Sequence, residues 1–392
     1  MFYNLLNFPT APPANRNTIL KDILNSYEPD IFMVCELESE QASNDILNYS
    51  LSEINKNYLS ATFVYNQSNT SEYSNLQQEI FYNSDYFTLE NQEEIRTNIR
   101  DINHYTFQLK NNNQNTNPIY LEIFVTHLKA SQSTYNQQQR LDMVTQFTNA
   151  LNNLDPDSYV IFAGDFNFYT SSESGYQKIL DNNNHVLMKD VLNLSNNTQS
   201  WHTNYNYRAI HTQATRLSNS DFNGYGAGGG LDDRFDFITF SENILATSDI
   251  NYIQNSYKSY GNNGNCYNKR IDDNSCTGNY DFTLRSNLYL MSDHLPVIAS
   301  IQSAMTLGTK DISWNASKIK LLNGNLIKES IVLKVSENLI HHRFTLYNNL
   351  GQVVVDKKIM QSQVSINTSN LEKGIYFIKV AGYAKIIKFV KI

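Results

Sequence analysis

The sequence has no long apolar run and no recognisable leader. No stretch approaches the roughly 18–20 apolar residues of a membrane-spanning helix, so we predict no transmembrane segment. The first residues, Met-Phe-Tyr-Asn-Leu-Leu-Asn-Phe, lack the charged region and following apolar region of a signal peptide. They are typical of the middle of a buried strand. We therefore expect the natural N-terminus, with its signal peptide, to lie upstream.

Basic residues are scarce in the first three quarters of the chain. Residues 305–392 contain 13 Lys and Arg against 5 Asp and Glu, so residues 1–304 contain 17 against 33. This asymmetry predicts two units. It argues against a broad basic surface for duplex DNA, because such binding depends on neutralising phosphates. The acidity is compatible with a metal site, which needs carboxylates.

Cysteine is also rare, with three residues in the chain. Cys35 lies in an apolar run and is predicted to be a buried thiol. Cys266 and Cys276 flank a Gly/Asn/Asp-rich loop and are interpreted as a disulfide, with two free loop thiols as the alternative. A disulfide would imply an oxidising compartment.

Apolar strands alternate with amphipathic helices up to residue 301, which predicts two packed sheets with helices outside. The predicted helices are 15–27, 134–154 and 174–181, and the predicted strands are 2–8, 30–35, 79–82, 105–109, 120–126, 159–163, 234–240 and 295–301. Residues 193–233 are rich in loops. After a linker at 305–317, short alternating strands separated by turn signals predict a small β-sandwich over residues 318–392.

Several polar residues stand at the ends of these strands. Glu36 and His127 each end an apolar strand, Asp165 and Asn167 follow a third, and Asp293 and His294 precede a fourth. Each alone has an ordinary interpretation as a solvated cap or a hydrogen-bonded histidine. Strand ends are where an α/β scaffold gathers a site, and carboxylates suit Mg²⁺, Mn²⁺ or Ca²⁺. A histidine can act as a general base when a carboxylate orients it.

Six motifs occur in an order that resembles the endonuclease/exonuclease/phosphatase family, which includes pancreatic deoxyribonuclease, inositol polyphosphate phosphatases and bacterial sphingomyelinases. They are Tyr-Asn-Leu-Leu-Asn-Phe, Cys-Glu-Leu-Glu, Thr-His-Leu-Lys, Gly-Asp-Phe-Asn, Arg-Phe-Asp-Phe-Ile and Ser-Asp-His-Leu-Pro. The resemblance spans residues 1–301. It implies an α/β fold, a four-layer αββα sandwich over residues 1–304, with the site at one edge of the sheets.

The resemblance also implies a role for each matched residue. Metal ligands would be Asn4, Glu36 and Asp293, and the cofactor would be Mg²⁺, or Mn²⁺ or Ca²⁺. Catalytic residues would be His127, Asp165, Asn167, Asp236 and His294, with Asp236 orienting His294. Substrate phosphate would be bound by Arg100 and, at a less regular offset, Tyr73.

Three further segments carry open alternatives. Residues 211–216 and 228–234 either line the substrate pocket or form a structured loop. The Asp272-Asp273-Asn274 loop either binds Ca²⁺ or is solvated.

The C-terminal segment, residues 318–392, resembles the type A sorting domain of type IX secretion. The matching parts are Leu-Tyr-Asn-Asn-Leu-Gly-Gln-Val-Val, Leu-Glu-Lys-Gly-Ile-Tyr-Phe-Ile-Lys-Val and the closing Lys-Phe-Val-Lys-Ile. The Pro-Asn-Pro of that family is absent. The resemblance implies interaction with the secretion machinery and a secreted or cell-surface location in a Gram-negative bacterium. The alternative is a carbohydrate-binding or adhesive β-domain.

Together these features predict a secreted, monomeric, divalent-metal-dependent phosphodiesterase. We expect an extracellular nuclease acting on DNA or RNA. The alternative is a phosphatase or phosphodiesterase acting on small or lipid phosphate esters, and a third interpretation is an adhesin on a catalytically inactive scaffold. The sequence shows no exposed aromatic hairpin of the kind sphingomyelinases insert into membranes, which weakens the lipid interpretation.

Overall fold

The structure of the chain is a computed structural model. It describes residues 1–68, 76–110, 118–192, 200–216, 222–246, 249–303, 319–335, 339–340, 342–380 and 386–392. It divides into two compact units, Met1–Gly308 and Thr309–Ile392. Among the described helices, none combines the length and hydrophobicity that crossing a membrane requires.

The first unit contains fourteen described strands and six described α-helices. The strands are β1 (Phe2–Phe8), β2 (Ile31–Leu37), β3 (Tyr58–Ser60), β4 (Gln77–Asn83), β5 (Phe87–Ile95), β6 (Ile102–Leu109), β7 (Tyr120–His127), β8 (Tyr159–Asp165), β9 (Met188–Lys189), β10 (Asp236–Ser241), β11 (Ile250–Tyr252), β12 (Lys258–Ser259), β13 (Val297–Ile298) and β14 (Ile301–Ser303). The helices are α1 (Arg16–Tyr27), α2 (Glu40–Ile46), α3 (Thr134–Ala150), α4 (Ser174–Ile179), α5 (Glu242–Leu245) and α6 (Phe282–Met291).

Two six-stranded sheets form the centre of this unit. Their strand orders are β12-β13-β1-β2-β4-β3 and β5-β6-β7-β8-β10-β9, and β11 pairs separately with β14. Side chains alternate between the two faces of each strand, so each sheet is apolar on both faces. The facing sides pack together through a core that includes Phe2, Met33, Ile123, Ile161 and Ile238.

Helices cover the outer faces of both sheets. Ile19, Leu20 and Leu288 of α1 and α6 pack on the first sheet. Val144 and Phe147 of α3 pack on the second. The order of layers is therefore helix, sheet, sheet, helix, which confirms the predicted α/β fold class.

Strand register brings the candidate site residues to one edge. β7 runs parallel to β8 with His127 opposite Asp165, and β10 runs antiparallel to β8 with Asp236 opposite the same Asp165. In the first sheet, Asn4 of β1 lies opposite Cys35 of β2, next to Glu36.

Several element boundaries differ from the sequence-based predictions. The predicted strand 295–301 is two short strands, β13 and β14, and the predicted helix 134–154 ends at Ala150 before a 3₁₀ turn at Leu151–Asn153. Strand β5 and helices α2 and α6 were not predicted. The Cys266–Cys276 disulfide is formed, and Cys35 is a buried free thiol, as predicted.

The described residues of the second unit form eight β-strands and contain no α-helix. They are β15 (Ile319–Leu321), β16 (Leu326–Ile327), β17 (Ser330–Val335), β18 (Arg343–Asn348), β19 (Val353–Lys358), β20 (Gln363–Asn367), β21 (Gly374–Val380) and β22 (Ile387–Lys391). They form sheets of order β15-β17-β20 and β16-β22-β21-β18-β19 around one apolar core that includes Leu333, Phe344 and Phe389.

Candidate functional site

Polar side chains from both sheets meet at the edge described above. The Asn4 side-chain amide donates to Glu36 Oε1 at 2.9 Å and to Asp165 Oδ2 at 3.0 Å. His127 Nε2 lies 3.4 Å from Asp165 Oδ2 and 4.0 Å from Glu36 Oε1. On the other side, His294 Nε2 lies 3.8 Å from Asp165 Oδ2. Asp165 is therefore the centre of the cluster.

Local backbone geometry sets these positions. Glu36 has φ 60° and Asn167 has φ 54°, so the chain turns sharply where each strand ends. The Asn7 N–H donates to Glu36 Oε2 at 3.0 Å and fixes its carboxylate. At Gly164 a Cβ atom would lie 2.2 Å from the Thr126 carbonyl oxygen. Only glycine therefore allows the close β7–β8 approach that brings His127 against Asp165.

His294 is paired with a buried carboxylate. Its Nδ1 lies 2.8 Å from Asp236 Oδ2, and neither side chain is more than 4% exposed. The Ser292 hydroxyl accepts from the His294 N–H at 3.1 Å and donates to the Asn4 carbonyl at 2.7 Å. Asp236 thus holds the imidazole and Ser292 holds the backbone of His294, in the arrangement of an acid–base dyad.

Gln213 is a site residue that the sequence did not indicate individually. Its Nε2 lies 2.7 Å from His294 Nε2 and donates to Asp293 Oδ2 at 3.1 Å. Its backbone bridges Asp233 on one side and His294 on the other. The segment 211–216 therefore reaches the site through this side chain, whereas Arg216 and His211 are buried. Only the folded chain places Gln213 beside the dyad, and no local motif marks it.

Burial and charge shift the acidity of these groups in different directions. Burial raises the pKa of Asp165 to about 7, supported by the Asp236 and Glu36 charges, although His294 opposes the shift. Burial and Asp293 also raise the pKa of Glu36. Burial together with the Arg100 charge lowers the pKa of His127 well below its usual range. For His294 burial acts downward, but Asp236, Asp293 and Asp165 together raise its pKa well above the ordinary value.

The donor set fits a hard divalent cation. Ligand atoms of Glu36, His127 and Asp165 lie within 4.8 Å of one another, as do those of Asp165, Asp236 and His294. The buried Asp293 Oδ1 has no hydrogen-bond partner in the described part of the chain. Carboxylates crowded out of water repel one another, and carboxylate oxygens are ligands for Mg²⁺, Mn²⁺ and Ca²⁺. A cation would offset both the burial and the repulsion that raise the pKa values of Asp165 and Glu36.

Arg100 lies close to the site but is buried behind it. Its Nη1 donates to the carbonyls of His127 at 2.7 Å and Leu128 at 3.1 Å. The Leu128 carbonyl also accepts from Asn167 Nδ2 at 3.3 Å. Arg100 therefore braces the backbone that carries His127. Tyr73, the other predicted phosphate-binding residue, lies outside the described residues.

The Asp272-Asp273-Asn274 loop is already neutralised by neighbouring groups. Arg270 donates to both Asp272 oxygens, at 3.0 and 2.7 Å. Asp273 Oδ1 accepts from the Ser275 N–H at 2.8 Å. Since protein donors occupy these carboxylates, the structure favours the solvated-loop alternative over a Ca²⁺ site.

Comparison with solved structures finds matches that cover about three quarters of this chain. The human Nocturnin catalytic domain with bound sulfate is 17% identical, with TM-score 0.47, covering 77% of this chain and 92% of that one. D. rerio TDP2 complexed with single-strand DNA product is 17% identical, with TM-score 0.47, covering 77% of this chain and 97% of that one. An endonuclease/exonuclease/phosphatase family protein from Bacteroides thetaiotaomicron is 14% identical, with TM-score 0.46, covering 76% and 92%.

Sequence comparisons identify the second unit. Comparison with curated proteins finds no match to the chain. Residues 325–392 match the family described as "Secretion system C-terminal sorting domain". This match covers strands β16 to β22. Residues 325–392 therefore belong to the family of secretion system C-terminal sorting domains.

Proposed function

We propose that the first unit hydrolyses phosphodiester bonds in nucleic acid with a divalent cation, and that the second unit directs its export. The observation that carries this proposal is the buried Asp236–His294 pair, which meets Asp165, Asn4 and Glu36 at one sheet edge. An oriented imidazole beside crowded carboxylates is costly to bury. It suits a reaction that moves a proton near an anionic phosphate.

The acid–base roles follow from the directions of the pKa shifts. Asp165, with its pKa raised to about 7, can accept the proton of an attacking water near neutral pH. His294, with a raised pKa, is protonated and faces the phosphoryl group as a cation. Neutral His127 donates a hydrogen bond to a phosphoryl oxygen.

The cation would be held by Glu36 and Asp293, with Asn4 beside them. When bound, it neutralises charge on the phosphate and stabilises the leaving oxygen. Asn167 orients the water for Asp165. The backbone N–H of Asn167 donates to Asp165 Oδ1 at 3.2 Å, and this bond fixes the turn that places the two side chains together. Arg100 fixes the backbone of His127 through its hydrogen bonds to the carbonyls of His127 and Leu128, and so acts as a positioning residue.

A substrate panel tests this proposal. Linear DNA, RNA, a nitrophenyl phosphodiester and inositol phosphates are incubated with the purified full chain at equal Mg²⁺, Mn²⁺ or Ca²⁺. We expect cleavage of nucleic acid and of the small diester, abolished by a chelator and restored by metal. His294→Gln excludes a contaminating nuclease, and His185→Gln, at an exposed histidine, is the matched control. Release of phosphate from monoesters with intact DNA and RNA would overturn the nuclease assignment and support the phosphatase alternative.

A further inference from the structure

An aromatic and cationic cluster is formed by Tyr205 and Arg208, after Trp201, and by Tyr267 of the disulfide-bonded loop. Tyr205 is 57% exposed, and the guanidinium carbon of Arg208 lies 4.1 Å from the centre of its ring. Tyr267 meets Tyr205 at 5.4 Å between ring centres, with the rings perpendicular. Arg208 therefore covers a face of the Tyr205 ring, and Tyr205 remains more than half exposed.

The cluster is held rigidly in place. The Tyr267 hydroxyl donates to the Thr203 carbonyl at 2.6 Å, and Tyr267 follows Cys266 of the disulfide. Asn262 Nδ2 donates to the Arg208 carbonyl at 2.8 Å. A ring fixed before the ligand arrives loses little entropy when the ligand binds.

Backbone pairing connects this cluster to the catalytic dyad. The Thr203 N–H donates to the Asp232 carbonyl at 2.9 Å, and the Asp233 N–H donates to the Gln213 carbonyl at 2.8 Å. Gln213 in turn bridges His294. Paired segments lie about 4.8 Å apart, so Asp233 is on the order of 10 Å from His294. Thr203, two residues before Tyr205, pairs one segment further on, so its backbone is on the order of 15 Å from His294, a distance that a few nucleotides of a strand can span.

The net negative charge of residues 1–304 limits which contacts can hold a nucleic-acid strand at this cluster. Residues 1–304 contain 17 basic against 33 acidic side chains, so phosphate neutralisation supplies little affinity. Aromatic stacking does not depend on net charge and tolerates any base, and an arginine over the ring strengthens it. We propose that Tyr205, Arg208 and Tyr267 form a base-stacking subsite that holds one unpaired nucleobase of a single-stranded substrate. This inference rests on the proposed function and names how that substrate is held.

Binding without turnover tests the subsite. Affinity for a fluorescent single-stranded oligonucleotide is measured by anisotropy in the full chain carrying His294→Gln. Added Tyr205→Ala should weaken binding about tenfold, the loss of one stacked base. Tyr205→Phe keeps the ring and should restore affinity. Tyr49→Ala, at a tyrosine 61% exposed on the outer side of the first sheet, should have no effect. An oligonucleotide of abasic residues should bind equally to the parent and to Tyr205→Ala.

Kinetics separate this inference from the proposed function. With His294 intact, Tyr205→Ala should raise KM for the oligonucleotide and leave kcat and nitrophenyl diester turnover within twofold. Equal oligonucleotide affinity in both chains, or equal losses on both substrates, would contradict the subsite. Binding that depends on Tyr205 in a chain that cuts no nucleic acid would retain the subsite and contradict only the nuclease assignment.

Discussion

At the level of single residues, the acid–base character of the site comes from burial combined with crowding of like charges. Asp165 and Glu36 are both driven toward their protonated forms, whereas His294 is driven toward its charged form by the three carboxylates around it. The same residue types on an exposed surface would keep ordinary pKa values. Chemistry near neutral pH therefore depends on the exclusion of water as much as on the residues.

Asp236 is expected to be essential through its effect on His294. Asp236→Asn keeps the shape of the side chain but removes the charge that raises the pKa of the imidazole and holds its ring. We expect kcat for the nitrophenyl diester to fall about 10²–10⁴-fold with an unchanged melting temperature. Asp157→Asn, at an exposed turn, is the matched control. A loss of less than tenfold would remove Asp236 from the mechanism.

Glu36 is expected to control metal affinity. Its carboxylate is 12% exposed and accepts from Asn4 and Asn7, so a glutamine fits the same space without the charge. Glu36→Gln should weaken Mn²⁺ binding in calorimetry by at least about tenfold, and excess metal should partly restore the rate. Exposed Glu40→Gln should bind metal as the parent does. Unchanged affinity in Glu36→Gln would exclude it as a ligand.

Sequence patterns anticipated the residues at strand ends better than those placed by tertiary contacts. Glu36, His127 and Asp165 each follow an apolar run, so their shared edge could be expected. Gln213 lies in a loop, and its contact with His294 arises only from pairing between distant segments. For Arg100 the pattern indicated the neighbourhood, but burial behind His127 depends on packing that no local motif encodes.

At the level of elements, the strands that could be predicted from the sequence are those whose residues are buried on both faces. Strands such as β2 and β8 are buried on both faces and stand out as continuous apolar runs. Strand β5 has mostly exposed or half-buried residues, Phe-Thr-Leu-Glu-Asn-Gln-Glu-Glu-Ile, and is defined by its pairing with β6. The strand predicted at 295–301 is interrupted because β13 pairs with β1 and β14 pairs with β11, in different sheets.

Strand β4 carries a buried carboxylate that should make stability depend on pH. Burial raises the pKa of Glu79 to about 8 from 4.5, although Ser43 opposes the shift. Because the folded pKa exceeds the unfolded one, the stabilising contribution is complete below about pH 4.5 and is lost as pH rises toward 8. The free energy of unfolding should fall by up to roughly 1.4 kcal/mol per pH unit across that window.

Glu79→Gln tests this dependence. The variant should match the parent at pH 4.5 and be more stable at pH 8 in urea unfolding, because it has no carboxyl to ionise. Exposed Glu90→Gln on β5 is the control and should follow the parent at every pH. If the stability of the parent and that of Glu79→Gln change in parallel with pH, Glu79 titrates normally.

At the level of the whole molecule, the two units have separate cores and opposite net charge. The cores of the first unit and the core of the second share no residue. Residues 305–392 are net basic while residues 1–304 are net acidic. The site residues all lie in the first unit, and the sorting-domain match lies in the second.

Shortening the chain to residues 1–308 should therefore separate catalysis from export. We expect the shortened chain to keep the full rate on the nitrophenyl diester, measured on purified protein. In cells that possess the secretion system, it should accumulate inside, whereas the full chain reaches the medium or the surface. A folded short chain with little activity would show that the second unit contributes to the site.

The catalytic edge unites residues from opposite ends of the first unit, since the Asn4 amide lies 3.4 Å from the imidazole of His294, 290 positions later in the chain. Strands β1 and β13, which adjoin these two residues, are also paired, with Phe2 opposite Val297. A nascent chain still on the ribosome thus lacks the Asp236–His294 dyad until nearly all of the first unit has been synthesised. Any fragment released early lacks the assembled edge, so the order of translation alone keeps unfinished copies without a complete site.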